Sequence, residues 1–565
     1  MESRNVLKFF TLIFLASIFF GCKKSDERFE KKLLVNTDYI EVSSKSNSYS
    51  FEILSNQAIE LSTDADWITF DTTALEKGKH TISFTTKKNE DEERSGTISV
   101  KISEDLTKDI LVIQEAGLIN IFYVKSGATG NGRSWDQASD LMTALDNSTS
   151  GSIIHIAEGT YIPSKTITNG ESSNAGDKTF EISKNISLIG GYPANATTGT
   201  SPNPQLYKTV FSGKQSDGSE SFHVVTISAP VATGEKVSIE GITVKEGNAT
   251  DRGINITING NQFSRGMGGG MLIRGSTVLL KDVNIIENVA SAKSGTAGFC
   301  AGLYVFGNAN LEMQNCKVND NNNSVGNSGG LWVYESKAYI YNSQVNNNYA
   351  KGTAGGVHSY PDSEVFMYNS EVKNNKNTSF GAGVYARQNS KIAMINCLVT
   401  DNVTTSANGG GGVMLYDNCV ADIISCTISN NGTPGPGGGI YRRQNSNSLT
   451  LINTIVAGNA QSGSSKDVDS YVAAAGPLVI KSSVLASKAY DGTGSEITTA
   501  FNPISMLDAN YKPIGSDNPA LQYGMGASQL DLISQSYNPV LSSEILKDFN
   551  GVSREGKTIM GAFVN

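Results

Sequence analysis

Apolar and polar residues alternate in short bursts along nearly the whole chain, with turn-forming residues between them. Residues 35–117 hold a first group: Tyr39-Ile40-Glu41-Val42, Ser50-Phe51-Glu52-Ile53-Leu54, Ile59-Glu60-Leu61, Thr81-Ile82-Ser83-Phe84, Gly96–Ile102 and Ile110–Ile113. Strand-length segments at this spacing predict a β-sandwich of about seven strands. From residue 118 to 500 the pattern becomes periodic. An Asn-x-x-Val-x-x-Asn motif begins at Asp282, Asn315, Asn342, Asn369, Asn396, Ser425 and Asn453, at spacings of 33, 27, 27, 27, 29 and 28 residues. It closes at Asn288, Asn321, Asn348, Asn375, Asn402, Asn431 and Asn459. A small-Gly pair ends at Gly270, Gly302, Gly330, Gly356, Gly383, Gly412 and Gly439, each time just before a strand. Each repeat therefore holds two strands at fixed phase and room for a third. An all-β unit of this size cannot bury its own apolar face, but stacked units can, with neighbours about 4.8 Å apart.

The predicted fold is all-β: a right-handed parallel β-helix of three-strand coils, about 27 residues each, preceded by an immunoglobulin-like sandwich. The Asn rows fit left-handed backbone turns and stacked side-chain bonds. The residue after the first anchor is small in most coils (Cys316, Ser343, Ser370, Cys397, Cys426, Thr454) and reads as tightly packed and inward. Cys397 and Cys426 stand one coil apart, within disulfide reach, so either a bond or free buried thiols fits there. Ser134-Trp135-Asp136-Gln137 is a capping box, with Ala138, Met142 and Leu145 following at helical spacing. A short helix there would cover the first coil, and residues 501–565 would run back over the last coils as a C-terminal cap. His155, inside the apolar run Ile153–Ile156, reads as structural.

Residues 1–22 form a separate segment, with Arg4 and Lys8 ahead of an apolar run from Phe9 to Phe20 that ends at Gly21-Cys22. A run of about 12 apolar residues is a signal length rather than a membrane span. Gly21-Cys22 resembles the bacterial lipobox, with Phe19 where Leu is usual. The resemblance implies lipidation of Cys22. Lys23-Lys24-Ser25-Asp26-Glu27, at the start of a tether over 23–34, resembles the tag that sends lipoproteins to the outer face of the outer membrane. Asp66-Trp67-Ile68, Arg94-Ser95-Gly96-Thr97-Ile98 and Ile113-Gln114-Glu115-Ala116-Gly117 give the 35–117 module a resemblance to BACON domains. That resemblance implies a spacer or a carbohydrate-binding accessory. Trp67 is then either the core anchor of the sandwich or a platform for a sugar. The repeats over 118–500 resemble right-handed β-helix repeat proteins, a likeness of fold that does not choose a chemistry.

Composition narrows the function classes. Hydrophobic content of 38% with 18% charged residues excludes a disordered chain. A net charge of −9 without a basic stripe excludes a nucleic-acid partner. Four scattered histidines (His80, His155, His223, His358) exclude a His-rich metal site, while Ca²⁺ on oxygen ligands stays open and no other cofactor is implied. The strand after each Gly pair places Tyr304, Trp332, His358, Tyr385, Met414 and Tyr441 in one outward column. Phe306, Tyr334, Tyr360, Arg387, Tyr416 and Arg443 form a second, with Arg274 one coil earlier. Aromatic faces accept sugar rings and guanidinium forks accept carboxylates or sulfates, so these columns predict either a groove for an extended acidic polysaccharide or a packed surface of stacked aromatics, covered by loops or by residues 501–565. His358, Tyr360 and Arg387 are the candidates for base and cation if the protein is instead a lyase acting on a uronate glycan by β-elimination. The columns contain no pair of carboxylates for glycoside hydrolysis. A third reading is an adhesin-like structural protein contacting another protein. The chain is expected to act as a monomer tethered through Cys22.

Overall fold

The computed structural model describes residues 31–89, 93–115, 121–292, 297–461, 464–465, 467–470, 476–485, 488–489, 497–498, 507–526, 529–530, 546–557 and 559–563. The signal segment with Cys22, most of the tether and parts of the 501–565 segment lie outside the described residues. The chain divides into two units, residues 1–119 and 120–565.

In the first unit a four-stranded and a five-stranded sheet face each other. Among the described residues nine strands form, including Leu33–Val35 and Ala74–Leu75, which are too short to show alternation in sequence. Most pairs are antiparallel, but Tyr39–Val42 lies parallel to Leu106–Gln114. Phe51, Ile53, Trp67, Phe84, Ile98, Val100, Ile110 and Val112 form the core between the sheets. Trp67 is the core anchor, with the Arg94 guanidinium over its ring at 4.8 Å.

The second unit is the solenoid. One coil supplies Asn310–Gln314 to sheet I, Lys317–Asn319 to sheet II, Asn322–Asn323 to sheet III and Leu331–Tyr334 to sheet IV, then re-enters sheet I at Lys337. Among the described residues the four sheets hold 12, 12, 9 and 11 strands. The coil therefore has four faces instead of three; the additional strand, that of sheet III, is only two residues long and lies where the sequence reads as turn. Inward positions such as Leu311, Met313, Val318, Leu331 and Val333 are fully buried and merge into one core along the axis.

The two Asn rows do different work. The first (Asp282, Asn315, Asn342, Asn369, Asn396, Ser425, Asn453) turns the chain from sheet I to sheet II with φ of 46–54°, the left-handed region that Asn tolerates best. The second forms a buried amide ladder: Nδ2 of Asn288, Asn321, Asn348, Asn375, Asn402 and Asn431 each donates to Oδ1 of the next, at 2.9–3.0 Å. The small-residue row is a third ladder. Cys316 N–H donates to Ser343 Oγ at 2.9 Å, Ser343 N–H to Ser370 Oγ at 3.1 Å and Cys397 N–H to Cys426 Sγ at 3.3 Å. Small size and an acceptor atom are both required there, which is why Ser, Thr and Cys interchange. Cys300, Cys316, Cys397, Cys419 and Cys426 are all free, buried thiols.

At the start of the solenoid the predicted helix is broken in two. Ser134 caps a 3₁₀ turn at Trp135–Gln137, and Asp140 caps an α-helix at Leu141–Asn147. Leu141, Met142, Ala144 and Leu145 close the core over Phe122 and Ile154. The described parts of the 501–565 segment pack along the flank of the later coils. Leu530, Met525 and Leu546 cluster with Tyr368, Ile395, Ile424 and Ile452, and Asn396 Nδ2 donates to the Lys547 carbonyl at 2.7 Å.

Candidate functional site

Sheet IV brings the first predicted column into register. Tyr304 pairs with Trp332, Trp332 with His358, His358 with Tyr385, Tyr385 with Met414 and Met414 with Tyr441. These side chains point away from the coil interior, yet none is more than 5% exposed. The expectation that Tyr304, Trp332, Tyr385 and Tyr441 offer an open sugar-binding surface is thus corrected. The connection from sheet III to sheet IV folds back over them. Four residues before each column member from Trp332 onward stands a left-handed residue: Ser328, Ala354, Gly381, Gly410 and Gly437. A Cβ at Gly437 would lie 2.4 Å from Tyr441 Cβ, and one at Gly381 2.7 Å from Tyr385 Cβ. At the other end the hairpin Asn255–Ile258/Asn261–Ser264 lays Ile256, Ile258 and Phe263 against Leu272, Tyr304 and Trp332. Outward from the coil therefore means inward to a second hydrophobic core.

His358 sits in the middle of that core. Its ring stacks between Trp332 at 4.6 Å and Tyr385 at 5.1 Å, and neither ring nitrogen has a hydrogen-bond partner. Burial first, and then the Arg387 charge, push its pKa down to about 3. A neutral imidazole sealed from solvent cannot reach a sugar, so the expected trio of His358, Tyr360 and Arg387 does not assemble as a base with its supporting groups. His155 is likewise structural, packed on Tyr123 and bonded through Nδ1 to the Tyr192 hydroxyl at 2.6 Å.

The second column survives as a half-exposed rim: Phe306, Tyr334, Tyr360, Arg387, Tyr416 and Arg443. Guanidinium groups and rings alternate along it. Arg387 Cζ lies 5.0 Å from the Tyr360 ring and 5.3 Å from the Tyr416 ring. Arg443 Cζ lies 5.5 Å from Tyr416 and 4.7 Å from Phe380. Among the described residues Arg387 has no ion pair, and its Nε is buried without a partner. Arg443 bonds only weakly, to the Asn408 carbonyl at 3.4 Å. Arg274 is different: it lies over Phe306 at 4.9 Å and donates to the Gln262 carbonyl of the hairpin, which ties it down. Two carboxylates of the neighbouring turn are engaged, Asp362 by Asn389 at 3.0 Å and Asp417 by Asn445 at 2.8 Å. The described residues gather no set of three His, Cys, Asp or Glu side chains able to hold a metal.

Sequence reasoning passed over a second set of outward aromatics, on sheet I. Tyr339 and Tyr341 pair in register with Phe366 and Tyr368, beside Glu312 and Gln314 of the preceding coil. The alternation in Lys337-Ala338-Tyr339-Ile340-Tyr341 and Glu364-Val365-Phe366-Met367-Tyr368 carried that signal.

The family described as a putative binding domain, BACON, matches residues 57–115, and the family described as a right-handed beta helix region matches residues 355–498. No curated protein matches the chain. Among solved structures, pectate lyase Pel9A is 14% identical over 79% of this chain and 90% of its own, with a TM-score of 0.33. A Bacteroides ovatus GH5 xyloglucanase in complex with a XXXG heptasaccharide is 14% identical over 37% of this chain, with a TM-score of 0.16. The alignment spans 46% of that enzyme, less than half its length. The chain is thus built of a BACON domain followed by a right-handed parallel β-helix.

Proposed function

We propose that the protein binds an extended anionic polysaccharide along the rim of sheet IV and does not cleave it. The observation that supports this reading is the Arg387 guanidinium, fixed between two rings and lacking a carboxylate. A partly desolvated cation left unpaired is costly unless a ligand supplies the anion. Arg443 repeats the arrangement two coils on, about 10 Å along the axis. A chain carrying carboxylates or sulfates at that spacing would meet both forks, while Tyr360 and Tyr416 offer ring faces beside them. Of the three candidates for an elimination, His358 is sealed away from the rim, which leaves Tyr360 and Arg387 there without it.

The test is retention of the protein in native gels containing polygalacturonate or a sulfated polysaccharide. Retention should weaken with salt and disappear in the Arg387→Ala, Arg443→Ala double variant. Unchanged retention in that variant would remove the rim from consideration. Absorbance from unsaturated products should stay flat; if it rises, the lyase reading returns. No retention on any polyanion would favour an adhesin-like role with a protein partner. We further propose that acylated Cys22 holds the protein on the outer face of the outer membrane. A Cys22→Ser variant should then leave the membrane fraction, and one that stays membrane-bound would contradict the anchor.

A further inference from the structure

The outer face of sheet I holds a second candidate site on residues distinct from the rim. Tyr339 stacks on Phe366 with centroids 4.9 Å apart and planes 10° apart, and Tyr341 on Tyr368 at 5.3 Å and 19°. Both stacks end at the coil of Glu312 and Gln314, where the side chains become polar. Two cavities open there. One, of about 310 Å³, is lined by Glu312, Gln314, Asn315, Tyr341, Asn342 and neighbours from the next coil. The other, of about 180 Å³, is lined by Lys236, Thr277, Asn310, Glu312, Tyr339 and Tyr341. Sharing Glu312 and Tyr341, they form one groove across successive coils. Gln314 Nε2 donates to Glu312 Oε1 at 2.5 Å and so orients the carboxylate at its centre.

The course of the C-terminal segment makes this opening informative. The column holding Tyr341 and Tyr368 continues as Ile395, Ile424 and Ile452. Those aliphatic positions are covered by Leu530 and Met525. The fold thus uses its own chain to cover these aliphatic residues and the Tyr368 ring, and leaves Tyr339, Tyr341 and Phe366 half-exposed beside Glu312 and Gln314. Exposed apolar surface rimmed by polar groups marks a ligand site.

We propose that this groove binds a polysaccharide without acidic groups. One sugar ring would extend the stack at Tyr339 or Tyr341, its C–H face against the negative ring face. Its hydroxyls would donate to the Glu312 carboxylate and exchange bonds with the amides of Asn310, Gln314 and Asn315. Glu312 lines both cavities and repels carboxylated or sulfated sugars, while Lys236 lines only the smaller one, so selectivity runs opposite to that of the rim.

The test uses the full protein, with cellohexaose, mannohexaose and soluble galactomannan as neutral probes and polygalacturonate as the anionic one, by calorimetry and by gel retention. At least one neutral probe should bind. Tyr339→Ala should weaken that binding about tenfold or more, as loss of a central aromatic anchor does. Glu312→Gln preserves size and should weaken it while allowing polygalacturonate into the groove. The Arg387→Ala, Arg443→Ala double variant should leave neutral binding unchanged, which separates the fate of this proposal from that of the rim. Unfolding midpoints within error of the parent show that the variants are folded. No binding to any neutral probe, or Tyr339→Ala and Glu312→Gln both binding as the parent does, would overturn the inference.

Discussion

Asn375 offers a sharp test of what holds the solenoid together. Its side chain makes four buried hydrogen bonds. Oδ1 accepts from the Asn348 backbone N–H at 3.0 Å and from Asn348 Nδ2 at 3.0 Å; Nδ2 donates to the Val345 carbonyl at 2.7 Å and to Asn402 Oδ1 at 2.9 Å. Truncation to Ala does not affect all four equally. Asn402 Oδ1 keeps the Asn375 N–H at 3.0 Å, and Asn348 Nδ2 keeps the Val318 carbonyl at 2.8 Å. The Asn348 N–H is left without its acceptor, and the Val345 carbonyl loses one donor. A buried group deprived of its partner costs about 1–3 kcal/mol. With the packing lost around a fully buried side chain, Asn375→Ala should cost about 3–5 kcal/mol. Its neighbour Asn374 is exposed and left-handed at φ 55°, so Asn374→Ala should cost only the backbone term, about 1–2 kcal/mol. Because solenoid stability is local, the assay is amide hydrogen exchange at Asn348. Its protection should fall by about two to three and a half powers of ten in Asn375→Ala, at 1.4 kcal/mol per tenfold. A fall below tenfold, or an equal effect from Asn374→Ala, would refute the account of the ladder as the load it carries.

Three further outcomes follow from the packing. His358 and His223 are buried, and burial lowers their pKa values to about 3 and about 4 from 6.5. The unfolded chain therefore takes up protons first, and stability should be full above about pH 6.5 and fall as pH drops toward 4, by up to about 1.4 kcal/mol per pH unit for each ring. Urea midpoints across that range check this; His358→Phe, still stacked between Trp332 and Tyr385, should lessen the slope, and an unchanged slope would contradict it. Gly437→Ala puts a Cβ against Tyr441 at φ 69° and should destabilise by more than about 2 kcal/mol, whereas Gly432→Ala, whose Cβ meets nothing closer than 3.7 Å, should be near neutral in the same unfolding assay. The five thiols from Cys300 to Cys426 are buried, with burial raising Cys300, Cys316 and Cys419 to about 12, so none should react with a thiol reagent until the protein is unfolded; rapid labelling of the native protein would show the core to be more open than described.

The repeat was legible because two of its requirements are local. A left-handed turn selects Asn, and a buried amide ladder selects Asn again six residues later, so both rows are visible in sequence at fixed phase. Sheet III was not legible, since a two-residue strand such as Tyr349–Ala350 is too short to alternate. The burial of His358 was hidden for a deeper reason. Strand alternation says which side chains leave the coil, but exposure depends on what the next loop does after it leaves. The loops before Tyr385, Met414 and Tyr441 read as polar, Gly-rich turns, and their glycines look like flexibility. In the structure Gly381, Gly410 and Gly437 take left-handed φ so that backbone can press onto the column four residues ahead. The turn itself is left-handed in five successive coils, at Ser328, Ala354, Gly381, Gly410 and Gly437, and only three of the five are glycine, so no single residue type announces the covering. On sheet I the rings of Tyr339, Tyr341 and Phe366 stay half-exposed while Tyr368 is buried beside Leu530 of the C-terminal segment, a difference that strand alternation does not show either. In this β-helix the exposure of an outward ring is set by what is laid over it, the loop from sheet III to sheet IV on one face and the C-terminal segment on the other, so a binding face has to be sought where neither of them runs.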